Sequence, residues 1–291
     1  MTRRQWLALM LASPRAPFSG TFLQLTRGHR QWPESRWREL WGYLGALGAG
    51  RLIVQWTQDG DEPLDDLLPQ VFASGLAIDL GLVHEPRYWT DGAAAFPAIE
   101  ARTRALLPRL RPWTARPNFK GWYITTEVDD VRWQAPAARA ELVRHLKATV
   151  KAVRRVRRAP VAVSGFANGA LKPEALAEFW RRLLRETGGQ QLLFQDGIGA
   201  GKLTLDNLPA YYQALRRVPH LAVVEIFEMV REVPFEATAA PLSRVLRQLA
   251  LAGGAPLAFS LPEYATPAGV PSAGTLYQGL ISGSRAVPPL E

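Results

Sequence analysis

The chain has 291 residues, 47% of them hydrophobic, a length that admits two ordinary domains or one large α/β barrel. It carries a net charge of +9 and no Cys, which excludes disulfides, thiolate zinc sites, iron–sulfur clusters and cysteine nucleophiles. No apolar run reaches the roughly eighteen residues of a membrane span. His29, His84, His145 and His220 lie far apart without HxH or HExxH spacing, so neither a metal nor a cofactor is expected.

The N-terminus reads MTRRQWLALMLASPRAP: the twin arginine Arg3-Arg4, a short apolar stretch from Trp6 to Ala12, then small residues and Pro. This is the layout of a secretory leader with a twin-arginine signature. Residues 1–19 are therefore expected to be an export leader, with an N-terminal arm as the other reading. The mature protein is then expected in the periplasm or outside the cell.

Downstream, β-type and helix-type runs alternate. The strand candidates are 20–26, 51–57, 75–83, 121–127, 159–167, 190–196, 220–228 and 256–264, most of them about thirty residues apart, the length of a strand plus a returning helix. Pro33 opens a helical stripe of Trp37, Leu40, Trp41, Leu44 and Leu47. Pro173 opens another of Leu176, Phe179, Trp180, Leu183 and Leu184, and Gly188 stops it. Pro97 and Pro136 sit at similar openings. The basic run from Lys147 to Arg158 keeps Val150, Val153 and Val156 at helical spacing, so its charges read as a solvated helix face rather than a nucleic-acid site.

Eight βα units without a linker predict a single (β/α)8 TIM barrel over residues 20–291, with a doubly wound sheet as the rival fold. Polar residues recur near strand ends: Gln24, Gln55, Asp79, Glu127, Ser164, Asp196 and Glu225. A barrel mouth accommodates such a ring better than one switch point does.

Barrel strands alternate between the interior and the helix layer. In GWYITTEVDD, Trp122 and Ile124 suit the helix layer, which turns Tyr123, Thr125 and Glu127 inward and puts Asp129 and Asp130 in the following loop. In HLAVVEIFE, Val224 and Ile226 suit the helix layer, so Glu225 is the inward carboxylate. Glu228 falls at the strand end or in the loop, and takes its place if a β-bulge shifts the phase. Two carboxylates on strands four and seven are what glycosidic cleavage needs, one to protonate the leaving oxygen and one to attack or to activate water. Glu127 is expected as acid/base and Glu225 as nucleophile. Sugar faces stack on aromatic rings, and Trp56, Trp89 and Trp133 lie in loops where they can serve. The expected substrate-binding residues are Asp196, Gln24, Gln55, Trp56, Trp89, Tyr123, Asp130 and Glu228.

The segments GTFLQL, RLIVQWT, GWYITTEVDD, FANGALKPEALAEFW, LLFQDGIGAGKLT and VVEIFE resemble, in this order, a bacterial family of domains of unknown function classed among glycoside-hydrolase-like TIM barrels. The resemblance covers nearly everything after residue 19. It implies the barrel and sugar chemistry, and carries over only the motif positions Glu127, Asp196 and Glu225.

DGIGAGK, Asp196 to Lys202, follows a strand but matches neither phosphate-binding fingerprint: Lys202 stands where GxGxxG needs Gly, and Asp196 where GxxxxGK does. VSGFANG around Ser164 lacks the first Gly of a nucleophile elbow. The sequence thus predicts an exported two-carboxylate glycoside hydrolase, retaining by preference, acting on a polysaccharide or exopolysaccharide. Its rival is a non-catalytic carbohydrate-binding barrel in exopolysaccharide assembly or secretion. Carbohydrate is the expected partner, with no nucleic acid and no membrane span.

Overall fold

The computed structural model describes residues 16–286, so residues 1–15 of the expected leader lie outside the described residues, whereas Phe18 is fully buried and the Ser19 N–H donates to the Pro256 carbonyl at 2.9 Å. Eight parallel strands close into a barrel: β1 (Gly20–Leu23), β2 (Arg51–Val54), β3 (Ala77–Gly81), β4 (Phe119–Val128), β5 (Val161–Phe166), β6 (Gln191–Gln195), β7 (His220–Glu225) and β8 (Leu257–Phe259). Each strand pairs with its neighbours in sequence, and β8 closes on β1 through Gly20 opposite Leu257. A helix returns the chain after each strand: α1 (Glu34–Ala46), α2 (Leu68–Ala73), α3 (Phe96–Thr114), α4 (Pro136–Val156), α5 (Pro173–Thr187), α6 (Leu208–Leu215), α7 (Leu242–Ala252) and α8 (Ala273–Ala286). This is the (β/α)8 TIM barrel.

The helix ends follow elementary rules. Pro173 starts α5 where its missing N–H costs nothing, and Gly188 ends it at φ +73°, its N–H returning to the Leu184 carbonyl. The apolar stripe between them is buried, whereas Lys147, Lys151 and Arg155 of α4 face solvent. None of the described helices is long and apolar enough to cross a membrane.

Two packed layers meet at the sheet. Trp122, Ile124, Val224 and Ile226 belong to the layer between strands and helices, while Phe22, Ile53, Tyr123, Ala162, Leu193, Val223 and Leu257 fill the barrel. The inward phase of β4 and β7 follows. Asp79, grouped by sequence with the mouth residues, is instead mid-strand opposite Ile53, bonded to Arg51 at 2.5 Å near the N-terminal end. Gly121 beside it is required, since a Cβ there would stand 2.4 Å from Asp79 Oδ1.

Three strands are shorter than their apolar runs. β7 ends at Glu225, and the chain enters a hairpin of Phe227–Arg231 with Glu236–Ala239. β8 ends at Phe259, and Leu261–Tyr264 is a helical turn. The run 75–83 divides into β3 and a two-residue strand, Val83–His84, in a small sheet with Gln58–Asp59 and Glu62–Pro63.

At β5 the sheet and helix layers touch most closely. A Cβ on Gly165 would lie 1.9 Å from Trp180 Cζ2 and 2.8 Å from the Val128 carbonyl oxygen. Gly165→Ala is therefore expected to cost about 2–3 kcal/mol by overpacking, visible as a lower urea midpoint at unchanged m-value. A midpoint matching the parent would contradict this account.

Candidate active site

The C-terminal mouth is built from β4 upward. Ile124 pairs with Val163 and Val128 with Gly165, so β4 spends four residues against two of β5 and bulges. The bulge holds its alternation: Thr126 points outward to His145 Nε2 of α4 at 3.1 Å, and Glu127 turns to the barrel side. His145 is stacked on Phe96 at 4.1 Å and bonded through Nδ1 to Glu100 at 3.0 Å, which makes the wall behind Glu127 rigid. The Tyr88 hydroxyl donates to the Glu127 carbonyl at 2.5 Å. Burial pushes the Glu127 carboxyl up to about 7, against the lowering effect of the Gln195 side chain beside it.

Glu225 ends β7 only 3% exposed. The glycine-rich loop after β6 covers it: Ala200 N–H donates to Glu225 Oε2 at 2.8 Å. Gly199 must be glycine, because a Cβ would meet the Phe227 carbonyl oxygen at 2.5 Å and Glu225 Cβ at 2.9 Å. DGIGAGK thus cradles a carboxylate of its own chain. Burial first, then the charge of Asp196, push Glu225 up to about 8, and the Glu127 charge adds to this; Asp196 and Glu225 titrate as a pair.

Asp196 was expected to bind a sugar hydroxyl or to orient Glu225 through a hydrogen bond; its placement corrects the first, and its contact to Glu225 is of the second kind. It is 0% exposed, accepts Gln248 Nε2 at 2.6 Å and the Ile198 and Glu225 N–H groups at 3.2 and 3.3 Å. Leu193 faces the interior, so Gln195 does too and Asp196 turns back toward α7. Asp130 is corrected likewise: fully buried, it accepts the N–H groups of Asn168 at 2.7 Å and Leu171 at 2.9 Å and braces two loops. Asp129 caps its own turn, accepting from Val131 and Arg132 N–H. Of the three acids in EVDD, only Glu127 faces the mouth.

Tyr123 is fully buried beneath Glu127, edge-on to Phe22 at 5.5 Å, its hydroxyl without a hydrogen-bond partner. Gln24 is half-buried at the end of β1, and Gln55 is 7% exposed after β2 with Oε1 unpartnered. Trp56 is pinned by its N–H to the Leu25 carbonyl at 2.8 Å and stacked on His84. Trp89 is 41% exposed, near Phe166 at the end of β5, with the Arg132 guanidinium 5.2 Å from its ring. Trp133 is core, stacked on Phe96. Glu228 lies on the hairpin with a 47% exposed side chain, 3.8 Å from Arg244, and is not among the inward groups.

Sequence reasoning passed over Gln195 and Glu263. Glu263, on the turn after β8, has Oε2 buried without a partner, and burial pushes it up to about 8. Among the described residues no group of three His, Asp or Glu is placed to hold a metal ion.

Uncharacterized protein YbcH of Escherichia coli K12 is 29% identical over 266 residues, 84% of this chain and 88% of its own. A candidate alpha-L-fucosidase structure from Bacteroides thetaiotaomicron shares the fold at a TM-score of 0.75 and 17% identity, with 93% of this chain and 96% of that one covered. A GH18 chitinase from Pseudoalteromonas aurantia does so at 0.55 and 10% identity, with 90% and 100% covered. Domain of unknown function DUF4434 matches residues 18–258, from just before β1 into β8, and the chain belongs to that family.

Proposed function

We propose that this barrel cleaves glycosidic bonds of an oligo- or polysaccharide with Glu127 and Glu225, by the retaining route, after export directed by Arg3-Arg4. The supporting observation is the pair itself: carboxyls from β4 and β7 at one mouth, each drawn toward neutral pH by burial, with the Glu127 charge adding to the rise at Glu225. The two sugar-processing neighbours, a candidate alpha-L-fucosidase and a chitinase, are in keeping with it.

The electrostatics revise the roles expected from sequence. Asp196 ionises first, at about 6, and its charge directly behind Glu225 keeps that carboxyl protonated after Glu127 has ionised. Glu225 is then the proton donor to the leaving oxygen. Glu127, more exposed and ionised from about 7, attacks the anomeric carbon, for which the pair must stand roughly 5–5.5 Å apart. Trp89 is the aromatic platform for a sugar face at the rim.

Release of reducing ends from a polysaccharide panel tests the reading, with the anomer of the first product followed by NMR. The rate is expected to follow a bell in pH with limbs near 7 and 8, where Glu127 is ionised and Glu225 still protonated. The 3% exposure of Glu225 favours the second reading, binding without turnover. Saccharide binding with no reducing ends released on any substrate would establish that one instead.

A further inference from the structure

Glu263 has no part in the pair, yet it is a third carboxyl at the mouth. Its turn, Leu261–Tyr264, rises from the end of β8; Tyr264 packs on Phe227 at 5.4 Å, and the Gln24 N–H at the end of β1 faces the Glu263 carboxyl. The acid therefore stands where β8 and β1 open upward. One strand further round, Gln55 Oε1 is buried and unpartnered, as Glu263 Oε2 is. A buried polar atom left without a partner costs free energy that a ligand can recover.

The charges around these atoms define the ligand. Among the described residues no cation lies against Glu127 or Glu263, and Glu225 feels only Arg244, whose guanidinium is bonded to the Glu225 and Phe227 carbonyls. On a chain of net charge +9 the mouth is acidic. We propose that Glu263 and Gln55 form a recognition point for a protonated amine, so that the saccharide taken by this mouth carries a free amino group. An ammonium brings three donors and a charge, the complement of a carboxylate and an amide oxygen that each lack a partner. A hydroxyl leaves the buried carboxyl unionised, and a uronate or sulfate brings an anion to acids that have no cation to offer it. The proposal rests on the saccharide reading above and names its substrate class.

Binding is balanced by a proton. Glu263, protonated at neutral pH, gives its proton to buffer as the ammonium takes its place. Tyr264 beside it, pushed up to about 12 by burial and then by the Glu263 charge, stays neutral throughout. Calorimetric titration of the full chain at pH 7, in two buffers of different ionisation heat, would compare oligomers of glucosamine, N-acetylglucosamine and glucose. The free-amine oligomer is expected to bind at least about tenfold more tightly, with nearly one proton released. Glu127 and Glu225 also titrate in this range, so Glu263→Gln provides the control: it should abolish both preference and proton release while melting cooperatively at or above the parent temperature. Gln55→Leu should weaken the preference and leave the proton release. Equal affinities, no binding, or a preference surviving Glu263→Gln would overturn the proposal. Amine-selective binding without reducing ends would leave it standing while the hydrolase reading falls. Cleavage of neutral glucans without amine preference would do the reverse.

Discussion

Replacing Glu225 by Gln is expected to lower turnover about 10²–10⁴-fold on saccharides with poor leaving groups, and far less on aryl glycosides whose leaving group needs no proton. The reason is the placement of Asp196. Its carboxylate accepts the Glu225 N–H and holds the Glu225 proton by charge, while Ala200 N–H fixes one carboxyl oxygen and leaves the other for the leaving group in the proposed reaction. Glu127→Gln removes the attacking group and should abolish turnover on both substrate types, with saccharide affinity retained. If instead Glu127→Gln is spared by activated substrates and Glu225→Gln is not, the roles read from the sequence are restored. Equal losses in both variants on both substrates would leave neither carboxyl as the donor.

The second large effect is on stability, and its sign runs opposite to that of an ordinary salt-bridged acid. Glu127 titrates at about 7 in the folded chain against 4.5 ordinarily, so the folded state binds its proton more tightly than the unfolded state does. Below about pH 4.5 the group is protonated in both states and costs nothing. Between 4.5 and 7 the unfolded chain ionises first, and folding loses about 3 kcal/mol in all, at roughly 1.4 kcal/mol per unit. Glu127→Gln should therefore raise stability by about that much at pH 8 and leave it unchanged at pH 4, measured by urea titration at both. Glu225 and Glu263, each pushed to about 8, act in the same direction up to that pH. A gain of equal size at pH 4 would assign the effect to packing rather than ionisation. Catalytic variants more stable than their parent are what carboxyls buried without counter-charges predict.

The barrel was legible because its signals are redundant. Strand runs, Pro and Gly at helix ends, and the spacing between runs agree, so an error at one strand leaves the count intact. The phase of β4 was legible for a local reason: Trp122 and Ile124 stand in sharp contrast to Thr125 and Glu127, and alternation carries through the bulge. β6 offers no such contrast. Leu192, Leu193 and Phe194 are all apolar, so nothing local showed that Leu193 faces inward and Asp196 therefore does not. Asp130 misled for a different reason, because a loop carboxylate that braces backbone N–H groups looks in sequence like one that awaits a ligand. Glu263 was lost inside a strand drawn too long. Ser260-Leu261-Pro262-Glu263 spells a helix start, with Ser before the first turn, Pro within it and Glu at its third position, and that signal was available.

Below the carboxyls the barrel is closed. The side chains of Phe22, Ile53, Tyr123, Ala162, Leu193, Val223 and Leu257 form a floor, and the Arg51–Asp79 pair stops the far end. The molecule is thus a blind well. No chain can thread through it, and whatever enters must leave by the same rim. An occupant also seals the well, cutting the carboxyls off from bulk water, so the protons present at the moment of closure are those with which the bound state has to work. A long polymer is left two ways to engage, laid across the rim or lowered in by one end.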